Sequence, residues 1–158
     1  MLSSPALNPA TVTPKVGSGY PAQFAASTAQ RQKRQLAEAL GLQAFGVNLT
    51  TLPPGCVSAL RHYHMGEDEF IYIVSGELAL VTDAGEQLLT VGMVAGFPGG
   101  VKDGHHLINR SQSDAGYLEV GNRDPACQSF YPDHDLTIGP EDADGQRHFT
   151  NLAGVRYP

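Results

Sequence analysis

From Phe45 to Val120 the chain is a succession of short apolar runs, AFGVNLTTL, FIYIV, LALVT, QLLTV, HHLIN and YLEV, broken by PPG, MGED, SGE, DAGE, FPGG and RSQSD. Each run is strand-sized, and each break carries Gly, Pro, Asp or Ser, the residues that make tight turns. No helix-sized pattern interrupts the series. Parallel strands need long crossovers, so neighbouring strands here must pair antiparallel through hairpins. The spacing therefore predicts an all-β sandwich or barrel, and the 18 Gly and 11 Pro residues agree with many turns.

The flanks read differently. Residues 1–23 are rich in Pro, Ser, Thr and Ala without a sustained period, and are expected to form a flexible or arm-exchanging N-terminal segment that adds little to the core. Residues 24–158 are expected to form a single barrel domain whose central part is 45–121; 158 residues suffice for one real core and do not call for a second. Between Ser27 and Gly41, STAQRQKRQLAEALG offers an N-cap, Leu36 and Leu40 at i,i+4, and a C-capping Gly, which predicts a short helix. Arg31, Lys33 and Arg34 are read as the solvated face of that helix. Beyond Gly121, RDPACQ and YPDHDLTIGPEDADG predict loops and edge strands over the barrel, with His134 in a Pro-Asp turn and not in a second metal site.

The formal net charge of −6, with scattered Lys and Arg, argues against nucleic acid as a partner. The N-terminus has no basic segment followed by an apolar one, and no apolar run approaches a membrane span, so the expectation is a cytoplasmic protein with no membrane partner. Cys56 and Cys127 form neither a CxxC pair nor a disulfide framework and are read as reduced thiols.

Chemistry concentrates in RHYHMGEDEFIYIVSGE, which begins at Arg61. On a strand, His62 and His64 project to one face and Tyr63 to the other, so two imidazoles can take adjacent positions around a borderline cation. Glu69 lies at an odd offset from His64, and a turn at Gly66 would let it open the next strand facing the same cavity, with Ile71 and Ile73 beyond it. Glu67 and Asp68 read as a solvated acidic turn. Further on, His105 and His106 must face opposite sides of an extended segment; spacing alone leaves open which one joins the first pair.

With these residues in hand, the chain resembles the cupin superfamily, whose first motif runs Gly, His-x-His, Glu, Gly and whose second runs Gly, Pro-x-Gly, His, Asn. The first corresponds to Gly55, His62, His64, Glu69 and Gly76, with one extra residue before His62. The second corresponds to Gly92, Pro98, Gly100, His105 and Asn109, with two extra residues before His105. The resemblance covers roughly Phe45 to Gly121 and is nearest to compact single-domain cupins labelled sugar-phosphate isomerases. It implies an all-β, cupin-type double-stranded β-helix (jelly-roll) barrel with an N-terminal arm. It also implies one divalent transition metal, Mn, Fe, Ni, Cu or Zn, held by His62, His64, Glu69 and His105. The interval to Asn109 selects His105 over His106, and Asn109 itself is read as closing a local turn.

Three imidazoles and one carboxylate leave a metal with net positive charge, which suits several reactions. The first expectation is an isomerase acting on a small oxygenated metabolite, with His106, Lys102 and Tyr63 as candidates for supporting catalytic roles. Oxygen chemistry or decarboxylation is a second reading, and a non-catalytic ligand-binding or sensory module a third. Phosphate recognition would call for clustered cations, and only Arg61, Lys102 and Arg110 lie near the motifs. Small barrels of this kind leave edge strands to be covered, so a homodimer is expected.

Overall fold

A computed structural model describes residues 5–158. Thirteen strands appear in chain order among them: β1 (Lys15–Val16), β2 (Gln32–Gln35), β3 (Phe45–Leu52), β4 (Tyr63–His64), β5 (Glu69–Ser75), β6 (Glu77–Thr82), β7 (Gly85–Thr90), β8 (Val94–Phe97), β9 (His106–Ile108), β10 (Ala115–Asn122), β11 (Ser129–Tyr131), β12 (Leu136–Ile138) and β13 (Phe149–Thr150). They form a six-stranded sheet ordered β1-β2-β3-β10-β5-β8, a four-stranded sheet β13-β12-β11-β4 and a three-stranded sheet β7-β6-β9. Every strand pairing is antiparallel, as the absence of helical crossovers requires.

The alternation within strands builds the interior. Ile71 and Ile73 of β5 are buried while Phe70, Tyr72 and Val74 between them are exposed. The main core joins Leu52, Ile71, Ile73, Leu78, Leu80, Leu89, Leu107 and Tyr117 from the six-stranded and three-stranded sheets. A second cluster lies under the tail, where Leu60, Tyr131 and Leu136 pack with Tyr20, Phe24, Phe149 and Tyr157. Tyr20, from the segment read as an arm, meets Tyr131 edge-on at 5.6 Å between ring centroids. Residues 15–16 also pair with β2.

The helix expected over 27–41 is confined to α1 (Leu36–Leu40), ended as anticipated by Gly41 in the left-handed conformation. The four residues before it, Gln32 to Gln35, instead extend the sheet by pairing with β3. Tertiary pairing outweighs the modest helix propensity of this stretch. The solvated-face reading of Arg31 and Lys33 fails with it. Arg31 donates to Ser58 O and Gly17 O, and Lys33 to Glu119, because a strand alternates its side chains and turns these two inward.

Two glycines, one of them in the first motif, have steric reasons. Gly76 sits at φ 68° in the β5–β6 turn, where a Cβ would lie 2.9 Å from Asp114 O. Gly99 packs its backbone on residues 66–67, where a Cβ would come within 3.1 Å of Glu67 N and O. Asn109 is fully buried and closes its turn as expected, donating 2.7 Å bonds to Leu52 O and Ser113 O and accepting from Ser111 N and Oγ.

Candidate metal centre

His62, His64, Glu69 and His105 are brought together. His62 Nε2 lies 3.2 Å from His64 Nε2, and Glu69 Oε2 lies 3.4, 3.7 and 4.0 Å from the Nε2 atoms of His105, His64 and His62. Each position follows from local backbone structure. His64 ends β4, and Met65 N and Gly100 N hold that end through Gln128 O and His64 O. The chain then bends through residues 65–68 and re-enters as β5 with Glu69 first. Asp68 accepts from Gly99 N and Glu67 from Asp124 N, so the expected solvated acidic turn is in fact pinned on both sides. His62 and His105 form an antiparallel bridge, exchanging backbone bonds of 3.1 and 2.9 Å. That bridge places His105 on the side of the cluster.

The other nitrogen of each ring is also engaged. His62 Nδ1 is 2.8 Å from Leu60 O, His64 Nδ1 is 2.8 Å from Ser129 Oγ, and His105 Nδ1 is 3.5 Å from Asp103 O. Such contacts fix the ring orientation and leave Nε2 as the free donor, the arrangement a metal-binding histidine needs. Phe97 stacks flat on His105, with centroids 3.6 Å apart and planes at 2°. Burial pushes the His62 pKa down to about 3, keeping it neutral. Burial alone would raise Glu69, but hydrogen bonds from His105 and His64 and the nearby His62 outweigh it and hold the carboxyl well below its usual range.

Imidazole nitrogens and a carboxylate are donors that borderline divalent ions prefer. Ligand bonds of about 2.0–2.2 Å put neighbouring donors roughly 3 Å apart and opposed ones about 4 Å. The 3.2–4.0 Å separations of Glu69 Oε2 from the three rings and of His62 from His64 match, and His62, Glu69 and His105 are mutually close enough to fit one metal ion, with His64 beside them. His64 Nδ1, Glu67 and Cys127 form a second grouping behind the first. His64 belongs to this grouping and not to the one made by His62, Glu69 and His105, and its Nδ1 is already bonded to Ser129.

The cluster opens into a cavity of about 190 Å³, whose apolar lining includes Ile71, Leu80, Phe97 and Leu107. Of the candidates for supporting roles, only His106 lines it; burial lowers its pKa, and its Nδ1 lies 3.1 Å from Ala59 O. Tyr63 points away and stacks on Phe130, and Lys102 is exposed. Arg61 is bound to Asp133 and Asp83, and Arg110 to Glu86. The cations and polar groups that do line the cavity are Arg31, Lys33, Tyr20, Tyr117 and Glu119, none of which the motifs mark. Gln32–Gln35 is polar and half-buried throughout, so no alternation in the sequence signalled Lys33.

The cupin domain model matches residues 48–121. A solved structure described as a sugar phosphate isomerase of the cupin superfamily, from Silicibacter pomeroyi, is 40% identical over 96% of this chain and 95% of its own, with a TM-score of 0.90. A provisionally named sugar phosphate isomerase from Acidithiobacillus ferrooxidans is 26% identical over 81% of this chain and 80% of its own, at TM-score 0.72. A predicted oxalate decarboxylase from Thermotoga maritima shares the fold, with 23% identity over 74% of this chain and 97% of its own and a TM-score of 0.59. No curated protein matches the chain significantly. The chain belongs to the cupin superfamily, with the all-β jelly-roll fold of that family and a likeness to its sugar-phosphate-isomerase-type members.

Proposed function

We propose that this cupin binds one divalent transition-metal ion through His62, His64, Glu69 and His105 and acts as an isomerase on a small oxygenated metabolite of the sugar-phosphate type. The observation that carries the reading is the convergence of three imidazole Nε2 atoms and one carboxylate at the cavity wall. A bound ion supplies Lewis acidity for adjacent carbonyl and hydroxyl oxygens. The chain's own residues do the rest. Ile71, Leu80 and Leu107 exclude water, Phe97 fixes the His105 ring, and the small cavity limits the substrate to a few carbons. The 40% identical relative described as a sugar phosphate isomerase supports the substrate class.

Metal analysis of the purified protein beside its His62→Ala and His105→Ala variants tests the site. The expected result is bound metal in the parent and its loss in both variants. Unchanged metal content in both would defeat the assignment.

The proposal extends to assembly as a homodimer. Phe70, Tyr72, Val74 and Val94 stand exposed on the outer face of β5 and β8, beside the edge of the six-stranded sheet. A second copy covering this face predicts dimer mass in light scattering and monomer for a Phe70→Glu, Tyr72→Glu variant. A monomeric parent at high concentration refutes it.

A further inference from the structure

The cavity contains a second polar group that neither family motif marks. Strand register lines it up: Lys33 pairs across to Thr50 and Thr50 to Tyr117, while one step on, Asn48 faces Glu119 and Glu119 faces Ile71. Ile71 lies two residues beyond Glu69, so Glu119 and Glu69 are diagonal neighbours on the same face of β10 and β5. Side chains in that relation stand about 7–8 Å apart at their bases. Glu119 therefore sits one place from the carboxylate of the metal cluster and lines the same cavity.

Its carboxylate is held from one side. Lys33 Nζ donates to Oε1 at 2.9 Å and Oε2 at 3.2 Å, and Asn48 Nδ2 donates to Oε1 at 3.1 Å. Oε1 thus has both lone pairs occupied and Oε2 keeps one. Next to it, the buried Tyr117 hydroxyl has the Thr50 hydroxyl as its neighbour across the ladder. The Tyr117 hydroxyl lines the cavity beside Glu119, and its proton can turn toward a bound ligand. Burial pushes the Tyr117 phenol well above its usual pKa, with Glu119 and Glu69 adding to the shift, so it stays a donor.

We infer that Glu119 is the proton-transfer base of this cavity, acting on the carbon beside the carbonyl of an α-hydroxy aldehyde or ketone, with Lys33 and Asn48 as its positioning residues. The inference rests on the isomerase reading and gives that reading its missing base. Glu119 Oε2 takes the proton from the hydroxyl-bearing carbon; the C–H pair becomes a carbon–carbon double bond and the carbonyl π pair moves onto oxygen. Glu119, once its proton has swapped with solvent, delivers a proton to the neighbouring carbon while the hydroxyl proton passes to the other oxygen. One C–H bond breaks, one forms, and no oxidant or reductant is needed. Tyr117 Oη donates to the oxygen on which charge develops.

The test follows exchange of the carbon-bound protons of dihydroxyacetone in deuterated water by proton NMR, using the full metal-loaded chain. Glu119→Gln is expected to slow exchange at saturating probe by about 100-fold to 10,000-fold with metal content unchanged. Glu119→Asp is expected to restore part of the rate, which a purely structural ion pair would not predict. A Lys33→Met, Glu119→Gln double variant removes the charge imbalance left by the single change and should be as slow. Exchange by Glu119→Gln at the parent rate overturns the inference while leaving the metal assignment intact. A metal-loaded parent that exchanges nothing overturns both this inference and the isomerase reading. A parent that binds no metal yet exchanges in a Glu119-dependent way defeats the metal reading and keeps the base.

Discussion

The cavity joins two polar constellations of unlike construction. His62, His64, Glu69 and His105 come from the residue before β4, the end of β4, the start of β5 and the residue before β9, at strand ends and bends where a one-residue gap is tolerated. Lys33, Asn48, Tyr117 and Glu119 lie inside the regular ladders of β2, β3 and β10, where every partner is dictated by register. Ends can be aimed individually, so the first constellation brings four donors to one point. Ladder residues stay in rows, so the second makes a wall. The difference separates a place that can chelate from a place that can line and orient a substrate.

Four measurements sharpen or break that contrast. The largest effect is expected from support of a ligand ring: Ser129→Ala removes the 2.8 Å contact to His64 Nδ1 and should weaken metal affinity about 10- to 100-fold, read by competition with a chelator. Equal affinity would mean that His64 is oriented by its backbone alone.

Acid should strike the chelating constellation. His62 has a folded pKa lowered to about 3 by burial, against about 6.5 when unfolded. The unfolded chain therefore binds more protons below about 6.5, so metal-free stability is fullest above that pH and declines as pH falls toward about 3. Glu69, also depressed, acts in the same direction. Urea midpoints across this range should shift less in His62→Gln than in the parent; parallel profiles contradict the assignment.

In the wall, Lys33→Met leaves Glu119 with an uncompensated charge at only 21% side-chain exposure. A cost of about 1–3 kcal/mol is expected by urea unfolding, with metal content unchanged. Loss of metal in this variant would erase the distinction between the two constellations. The smallest effect belongs to the far face of β4, where Tyr63→Ala removes the stack on Phe130 at about 1 kcal/mol and leaves the metal site untouched.

The same contrast governs what could be read in advance. Hairpin spacing gave the all-β architecture, and the residue types of the first constellation are rare enough together that their spacing identifies them. The reversal between His64 and Glu69 was foreseen at Gly66, where a Cβ would lie 2.5 Å from Asp124 Oδ2, and Gly99 packs on the same bend. Lys33 and Glu119 were opaque because Lys and Glu are ordinary surface residues, and their inward aim depends on a four-residue strand mistaken for helix. Pairing with β3, 13 or more residues away in sequence, decides that segment, and local propensity carries no trace of it. The role of Ser129 was equally hidden, since a lone serine in an irregular tail signals nothing.

That serine also imposes an order on events. β4 has its ladder with β11, and the imidazole of His64 is steadied by a hydroxyl 65 positions later. As the chain leaves the ribosome, the histidine pair emerges long before the strand that sets one of its rings. Fixed geometry at the cluster is therefore a late acquisition of the growing polypeptide, and a nick or stall between residues 110 and 128 would leave the histidines present but His64 unaimed.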